Sequence, residues 1–157
     1  MRKRIISPIK QNDALNDQEW LDIENRVDVE ITSEDPDHPI EAALLLNQTS
    51  GWRAAAPGKQ TIRLIFNSPQ QIQRILLSFV EPHVNRTQEY DLRWSSDDGQ
   101  TFHEIVRQQW NFNTHDATRQ TEDYHVDLND VTVLELTIIP DISGGESVAS
   151  LAQLRIA

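Results

Sequence analysis

The sequence has no cysteine among its 157 residues, which excludes disulfides, thiolate metal sites and a cysteine nucleophile. A cysteine-free chain fits a reducing compartment, and the cytoplasm is the expected location. Positive charge is scarce: 14 Lys and Arg face 25 Asp and Glu, a formal net charge of −11. Sequence-independent binding to nucleic acid needs a basic footprint on the phosphates, and an anionic membrane needs one too. Neither partner is expected. Long apolar runs are also missing, since none approaches the roughly 20 residues that span a bilayer. The start, Met1-Arg2-Lys3-Arg4-Ile5-Ile6-Ser7-Pro8, is basic with no apolar stretch behind it, so no secretory signal is expected. Five glycines leave few backbone positions for a phosphate cradle. No GxSxG elbow or HExxH pair occurs, and His38, His83, His103, His115 and His125 are scattered. No catalytic residue is assigned, and the chain is not expected to be an enzyme.

What the sequence does have is two-fold alternation. Val27-Asp28-Val29-Glu30-Ile31 alternates apolar and acidic, as a half-buried strand does. Gln60 to Phe66 places Ile62, Leu64 and Phe66 on one face. Ile72 to Val80 is a second apolar run, set off by a turn at Asn67-Ser68-Pro69-Gln70. Gln88 to Ser95 sends Tyr90, Leu92 and Trp94 one way and Glu89, Asp91 and Arg93 the other, the mark of an antiparallel sheet with one wet face. Asp98-Gly99 is a strong hairpin signal, because the turn needs positive φ. Phe102 to Gln109 is the partner strand, and Trp110 to Gln120 reads as a polar loop. Tyr124 to Leu128, Val131 to Ile139 and Val148 to Ile156 complete about eight strands.

One segment has a different period. Across Asn16 to Arg26, Asn16 or Asp17 can cap a helix, while Trp20, Ile23 and Val27 form one apolar stripe. The expectation is an all-β, antiparallel, eight-stranded jelly-roll sandwich occupying 1–157 as a single domain. Within it, 1–26 forms an N-terminal extension whose short helix packs on the sheets. Trp52, Trp94 and Phe102 are expected in the core or packed on a sheet.

Several pieces occur in a familiar order. They are Glu30-Ile31-Thr32-Ser33-Glu34, then Ile40-Glu41-Ala42-Ala43-Leu44, then Gly51-Trp52-Arg53. Next come Gln60 to Phe66 and Gln71-Ile72-Gln73-Arg74-Ile75. The hairpin Tyr90-Asp91-Leu92-Arg93-Trp94-Ser95-Ser96-Asp97-Asp98-Gly99-Gln100-Thr101-Phe102 and the terminal Ser150 to Ile156 follow. From about Val27 onward the chain resembles the discoidin, or coagulation-factor type C, domain. It is most similar to small bacterial members of the galactose-binding-like superfamily that are labelled carbohydrate-binding. The cysteine pair bracketing many discoidin domains is absent, and the exposed hydrophobic spikes of membrane-binding members are not expected.

The resemblance implies a galactose-binding-like jelly roll whose ligand meets loops at one end, hence a non-catalytic module for carbohydrate or a small polyol. Sugar binding needs an aromatic face for C–H groups and planar polar groups for paired hydroxyls. Trp110, Asn111, Phe112 and Asn113 offer both within four residues. Arg86, His83 and Asn85 supply a neighbouring polar rim, and Arg53 lies in a third loop. Each also has a structural role open to it: Trp110 and Phe112 can pin a loop, Arg86 can pair with Glu89, and Arg53 can brace the sandwich end. Calcium is raised by the resemblance, with Glu34, Asp35, Asp37, Asn47 and Thr49 as oxygen donors. Acidic loops in so acidic a chain are ordinarily solvated, and no cofactor or metal is expected. The alternative function is a protein-interaction or assembly domain with a protein partner and no sugar.

Overall fold

A computed structural model describes residues 20–157. Eight strands run in the order β1 (Val27–Ile31), β2 (Trp52–Pro57), β3 (Gln60–Val80), β4 (Arg86–Ser95), β5 (His103–Phe112), β6 (Arg119–Ile139), β7 (Val148–Leu151) and β8 (Gln153–Ile156). One short helix, α1 (Glu41–Leu44), precedes β2. The pairing order is β1-β3-β6-β4-β5, with β8 also on β3 and β2 paired separately with β7. Every pairing is antiparallel. No helix among the described residues is long and apolar enough to cross a membrane.

β3 and β6 are each 21 residues long and take part in both layers of the sandwich. The first half of β3 pairs with β1 and the second half of β6, and its second half pairs with β8 and the first half of β6. The turn expected at Asn67-Ser68-Pro69-Gln70 is instead a bend inside β3, where the register with β6 shifts between Ile65 and Arg74. Bulges of this kind bend a strand without ending it, and they tolerate a proline because one ladder bond is already missing. The two strands expected over 124–139 fuse into β6 for the same reason.

Two further differences concern β2 and the N-terminal helix. Trp52–Pro57 holds three alanines, which have little strand preference, yet it pairs with β7 because Trp52 and Ala54 are buried. Of the helix expected over 16–26, residues 16–19 lie outside the described residues. From Trp20 onward the chain is not helical and ends in a turn in which Arg26 N–H donates to Ile23 O at 3.0 Å. Trp20 and Ile23 are nonetheless buried, and the Arg74 guanidinium lies 5.2 Å from the Trp20 ring centre.

The alternation puts Ile62, Leu64, Phe66, Tyr90, Leu92, Leu134, Leu136 and Ile138 in one core, together with Ile75, Leu77 and Phe79 from the other layer. Trp52 is buried and its indole N–H donates to Ser33 O at 3.1 Å, whereas Trp94 is half-buried against His103. Asp98 and Gly99 both have positive φ, 61° and 88°, as the β4–β5 hairpin requires. Ser95 Oγ and the Thr101 N–H both donate to Asp97 Oδ1, and these hydrogen bonds hold the Asp97 carboxyl down at about 2. Arg155 is buried and its guanidinium donates to the carbonyls of Ala43, Leu45 and Gln48, which anchors α1 to β8.

A charged row crosses the central strands. Glu135 on β6 is buried between Arg63 of β3 and Arg93 of β4, its register partners on either side. Arg63 Nε donates to Glu135 Oε2 at 2.6 Å and Arg93 Nε to Oε1 at 3.1 Å, while Arg93 also lies 4.8 Å from the Phe102 ring centre. Burial alone raises the carboxyl, but the two guanidiniums outweigh it and hold Glu135 below the usual glutamate range. A depressed native value means the row stabilises the fold above the unfolded value of about 4.3 and loses that stabilisation as pH falls through the native one. Glu135→Ala releases two half-exposed arginines to water, so the expected loss is about 1–2 kcal/mol at neutral pH. Urea unfolding at pH 7 and pH 3 checks this, with the gap between variant and wild type shrinking at the lower pH.

Candidate ligand-binding site

The second half of β3 ends at Val80 and β6 begins at Arg119, and these two residues are paired. The loops at 81–85 and 113–118 therefore leave the sandwich side by side. The Glu81 N–H donates to Thr118 O at 2.8 Å, and the Thr114 N–H donates to Asn85 Oδ1 at 2.9 Å. The loop after β6 joins them, with the Ile142 N–H donating to Thr87 O at 2.9 Å. Three loops thus share one rim.

Arg86 sits beneath that rim. Its side chain is fully buried, with Nε donating to Glu81 Oε1 at 2.8 Å and one terminal nitrogen donating to Pro140 O at 2.7 Å and Gln88 Oε1 at 3.2 Å. The guanidinium stacks 4.7 Å from the centre of the Phe112 ring, and Phe112 is itself buried. The partner of Arg86 is therefore Glu81 and not Glu89, whose carboxylate accepts from Gln109. The other Arg86 terminal nitrogen finds no hydrogen-bond partner among the described residues.

Trp110 and Phe112, expected in a loop, belong to β5. Arg86 faces Phe112, Thr87 faces Asn111 and Gln88 faces Trp110 across the β4–β5 ladder. The segment lacks apolar alternation because β5 is an edge strand whose inner face is partly polar. Gln88 is completely buried, so its cross-strand neighbour Trp110 also points between the layers, half-buried against the core. Asn111 points to the outer face, where its Oδ1 accepts from Thr87 Oγ1 at 2.6 Å. Asn113 opens the turn, exchanging backbone hydrogen bonds with Ala117 while its Oδ1 accepts the His115 N–H. His83 and Asn85 are exposed on the rim. Arg53 is not brought to this group. It lies exposed on β2 and lines a separate cleft of about 190 Å³ with His38, Ser50 and Val80.

Sequence reasoning missed the facing wall. Gln120, Glu122 and Tyr124 of β6 are paired with buried Phe79, Leu77 and Ile75, so they point inward too. Gln108 Nε2 donates to Glu122 Oε1 at 3.3 Å, and the Tyr124 hydroxyl donates to Gln108 Oε1 at 3.2 Å. Tyr90 and Tyr124 share a short hydroxyl contact. Burial, first of all, raises both phenols above their ordinary value, so both stay protonated at any ordinary pH. Two residues nearer the loops on the same face of β6, Gln120 is buried, as Gln88 is at the loop end of β4. Gln88 Nε2, Trp110 Nε1 and both polar atoms of the Gln120 amide are buried without partners among the described residues. No sequence signal marks Gln120, because its neighbours are Arg119 and Thr121 and its inward direction follows only from register.

Two aliphatic side chains flank this end. Val84 is 43% exposed and Ile142 is 49% exposed, so apolar tips are present where none were expected. Two of the loop carboxylates raised for calcium make local hydrogen bonds. Glu34 accepts the Ile40 N–H, Asp35 accepts the Asp37 N–H, and no group of three or more His, Asp or Glu converges among the described residues.

Residues 16–152 match a family described as F5/8 type C domain. No curated protein matches the chain. Several solved structures share the fold. A family 32 carbohydrate-binding module of NanJ from Clostridium perfringens, solved with galactose, is 14% identical with TM-score 0.59, covering 83% of this chain and 92% of that one. The CBM32 of AlyQ, solved with 4,5-unsaturated mannuronic acid, is 16% identical with TM-score 0.60, covering 85% and 95%. A chain from the structure of reduced XRCC1 bound to the DNA polymerase β catalytic domain is 15% identical with TM-score 0.61, covering 84% and 96%.

Two substitutions separate the committed groups from the uncommitted ones. Arg86→Ala leaves the Glu81 carboxylate buried without its cation, and the expected loss is about 3 kcal/mol or more. Gln120→Leu removes an amide that has no partner among the described residues, so stability is expected to equal or exceed that of wild type. Urea midpoints of the two variants measure both effects.

Proposed function

The chain belongs to the F5/8 type C domain family, and on that premise we propose that it is a non-catalytic carbohydrate-binding module whose ligand meets the rim of loops 81–85 and 113–118. One observation carries the proposal. Of the seven buried side-chain atoms without a partner among the described residues, five belong to Arg86, Gln88, Trp110 and Gln120, at the strand ends beneath that rim. Buried polar groups are ordinarily satisfied, so such a concentration marks a place where an incoming molecule supplies the missing bonds. Four of the five atoms are donors, on Arg86, Gln88, Trp110 and Gln120, and the fifth is the Gln120 oxygen. That balance suits the hydroxyl and carboxylate oxygens of a sugar or small polyol. Trp110 adds an indole face for the C–H side of a ring. Asn85 and Asn113 commit their oxygens to loop N–H groups, which leaves their NH2 groups to donate to a ligand at the mouth. Exposed His83 completes the rim. The sugars bound by similar modules, galactose and an unsaturated uronic acid, support this chemistry.

A module of this kind acts by holding one end of a glycan, and nothing in the role calls for bond cleavage. The cysteine-free composition supports a cytoplasmic setting. A protein-interaction domain is the second reading, supported by the XRCC1 likeness and by a groove beside β1.

Calorimetric titration with galactose and with oligogalacturonate tests the first reading. Weak, saturable binding is expected for at least one of them, with Trp110→Ala lowering affinity about tenfold, or about 1.4 kcal/mol. No heat with either sugar, or equal affinity in a Trp110→Ala variant that keeps its fold by circular dichroism, rejects it.

A further inference from the structure

The far edge of the same sheet carries a surface of another kind. Among the described residues β1 is the terminal strand and pairs only with β3, so one side of its backbone has no ladder there. Between that side and α1 lies a groove of about 530 Å³. Its walls are aliphatic, with Val27, Val29 and Ile31 from β1 opposite Ile40 and Leu44. The three β1 residues sit in register with buried Phe66, Leu64 and Ile62 yet remain half-buried themselves. Glu24, Asp28, Glu34 and Glu41 also line the groove, and among the described residues no Lys, Arg or His does. An unpaired edge with an apolar flank is ordinarily covered, because it pairs readily with any extended chain.

The sequence contains the complement. Residues 2–10 hold Arg2, Lys3, Arg4 and Lys10 with Ile5, Ile6 and Ile9, and no acidic residue. Four of the chain's 14 basic residues thus fall in nine positions. The nine residues between Lys10 and Trp20 reach up to about 33 Å when extended. The described chain then passes the groove itself, where Ile23 and Glu24 line it.

We infer that the groove beside β1 is a docking site for the chain's own segment 2–10. The isoleucines meet the aliphatic walls, the basic side chains meet the four carboxylates, and the backbone extends the sheet at the free edge of β1. Pro8 fits such an added edge strand, where its missing N–H faces solvent. The docked segment closes an edge that is otherwise open to foreign strands. It stands independently of any sugar at the opposite edge.

The absence of native cysteine makes the test clean. A nitroxide attached to full-length protein through Ser7→Cys broadens nearby amides in NMR spectra. Loss of amide intensity over residues 27–31 and 41–44 is expected, unchanged on tenfold dilution. Adding Arg2→Glu, Lys3→Glu and Arg4→Glu should restore most of that intensity. Combining those changes with Glu24→Lys, Asp28→Lys and Glu41→Lys should bring the loss back. Broadening elsewhere or nowhere overturns the inference. So does broadening that fades on dilution, which assigns the groove to a second copy, and so does insensitivity to the charge changes.

Discussion

The pairing of β3 with β6 is the constraint on which the rest of the molecule depends. Both strands cross from one layer to the other, bending together where their register shifts. Each remaining strand except β5 and the β2–β7 pair is hydrogen-bonded to one of these two. The seam also sets where the loops meet. Because Val80 is paired with Arg119, the loops that leave β3 and enter β6 emerge together. β4 then starts from one of those loops and β5 ends at the other. The rim is thus a consequence of strand register, and its loops need no special sequence to meet.

Polar groups inside the sandwich divide into two kinds. Glu135 and Arg86 are fixed by opposite charges and backbone carbonyls, and removing a partner there costs stability. Gln88, Gln120 and Trp110 hold groups that bond to nothing among the described residues. Apolar residues of similar size would serve the core better at those positions. A chain that keeps amides there forgoes stability at one place, under exposed loops and beside a half-buried tryptophan. Local conflict between sequence and packing is characteristic of functional sites.

Much of this was legible in the residues alone. Strict alternation in 60–66 and 88–95 identified the core faces, and Asp98-Gly99 identified the hairpin, because side-chain direction in a strand follows directly from spacing. The site was legible only in part. Trp110 was singled out for its aromatic face, but its strand was hidden, since β5 carries polar residues on both faces. The sequence offers Arg86 as a ligand-binding cation, yet Glu81, Pro140 and Gln88 consume donors of its guanidinium, which only tertiary placement reveals. Gln88 and Gln120 are far apart in sequence, and each is turned inward by the register of its own strand. β2 was missed because alanines carry no strand signal, and burial decided its pairing.

The most direct test of the account is a residue-resolved NMR titration of the full chain with a sugar that binds it. The predicted result is a set of shifts on the Trp110 indole N–H, the Gln88 and Gln120 side-chain amides and the backbone of 83–85 and 113–115. Shifts confined to Arg53 and His38, or to the groove beside β1, contradict it.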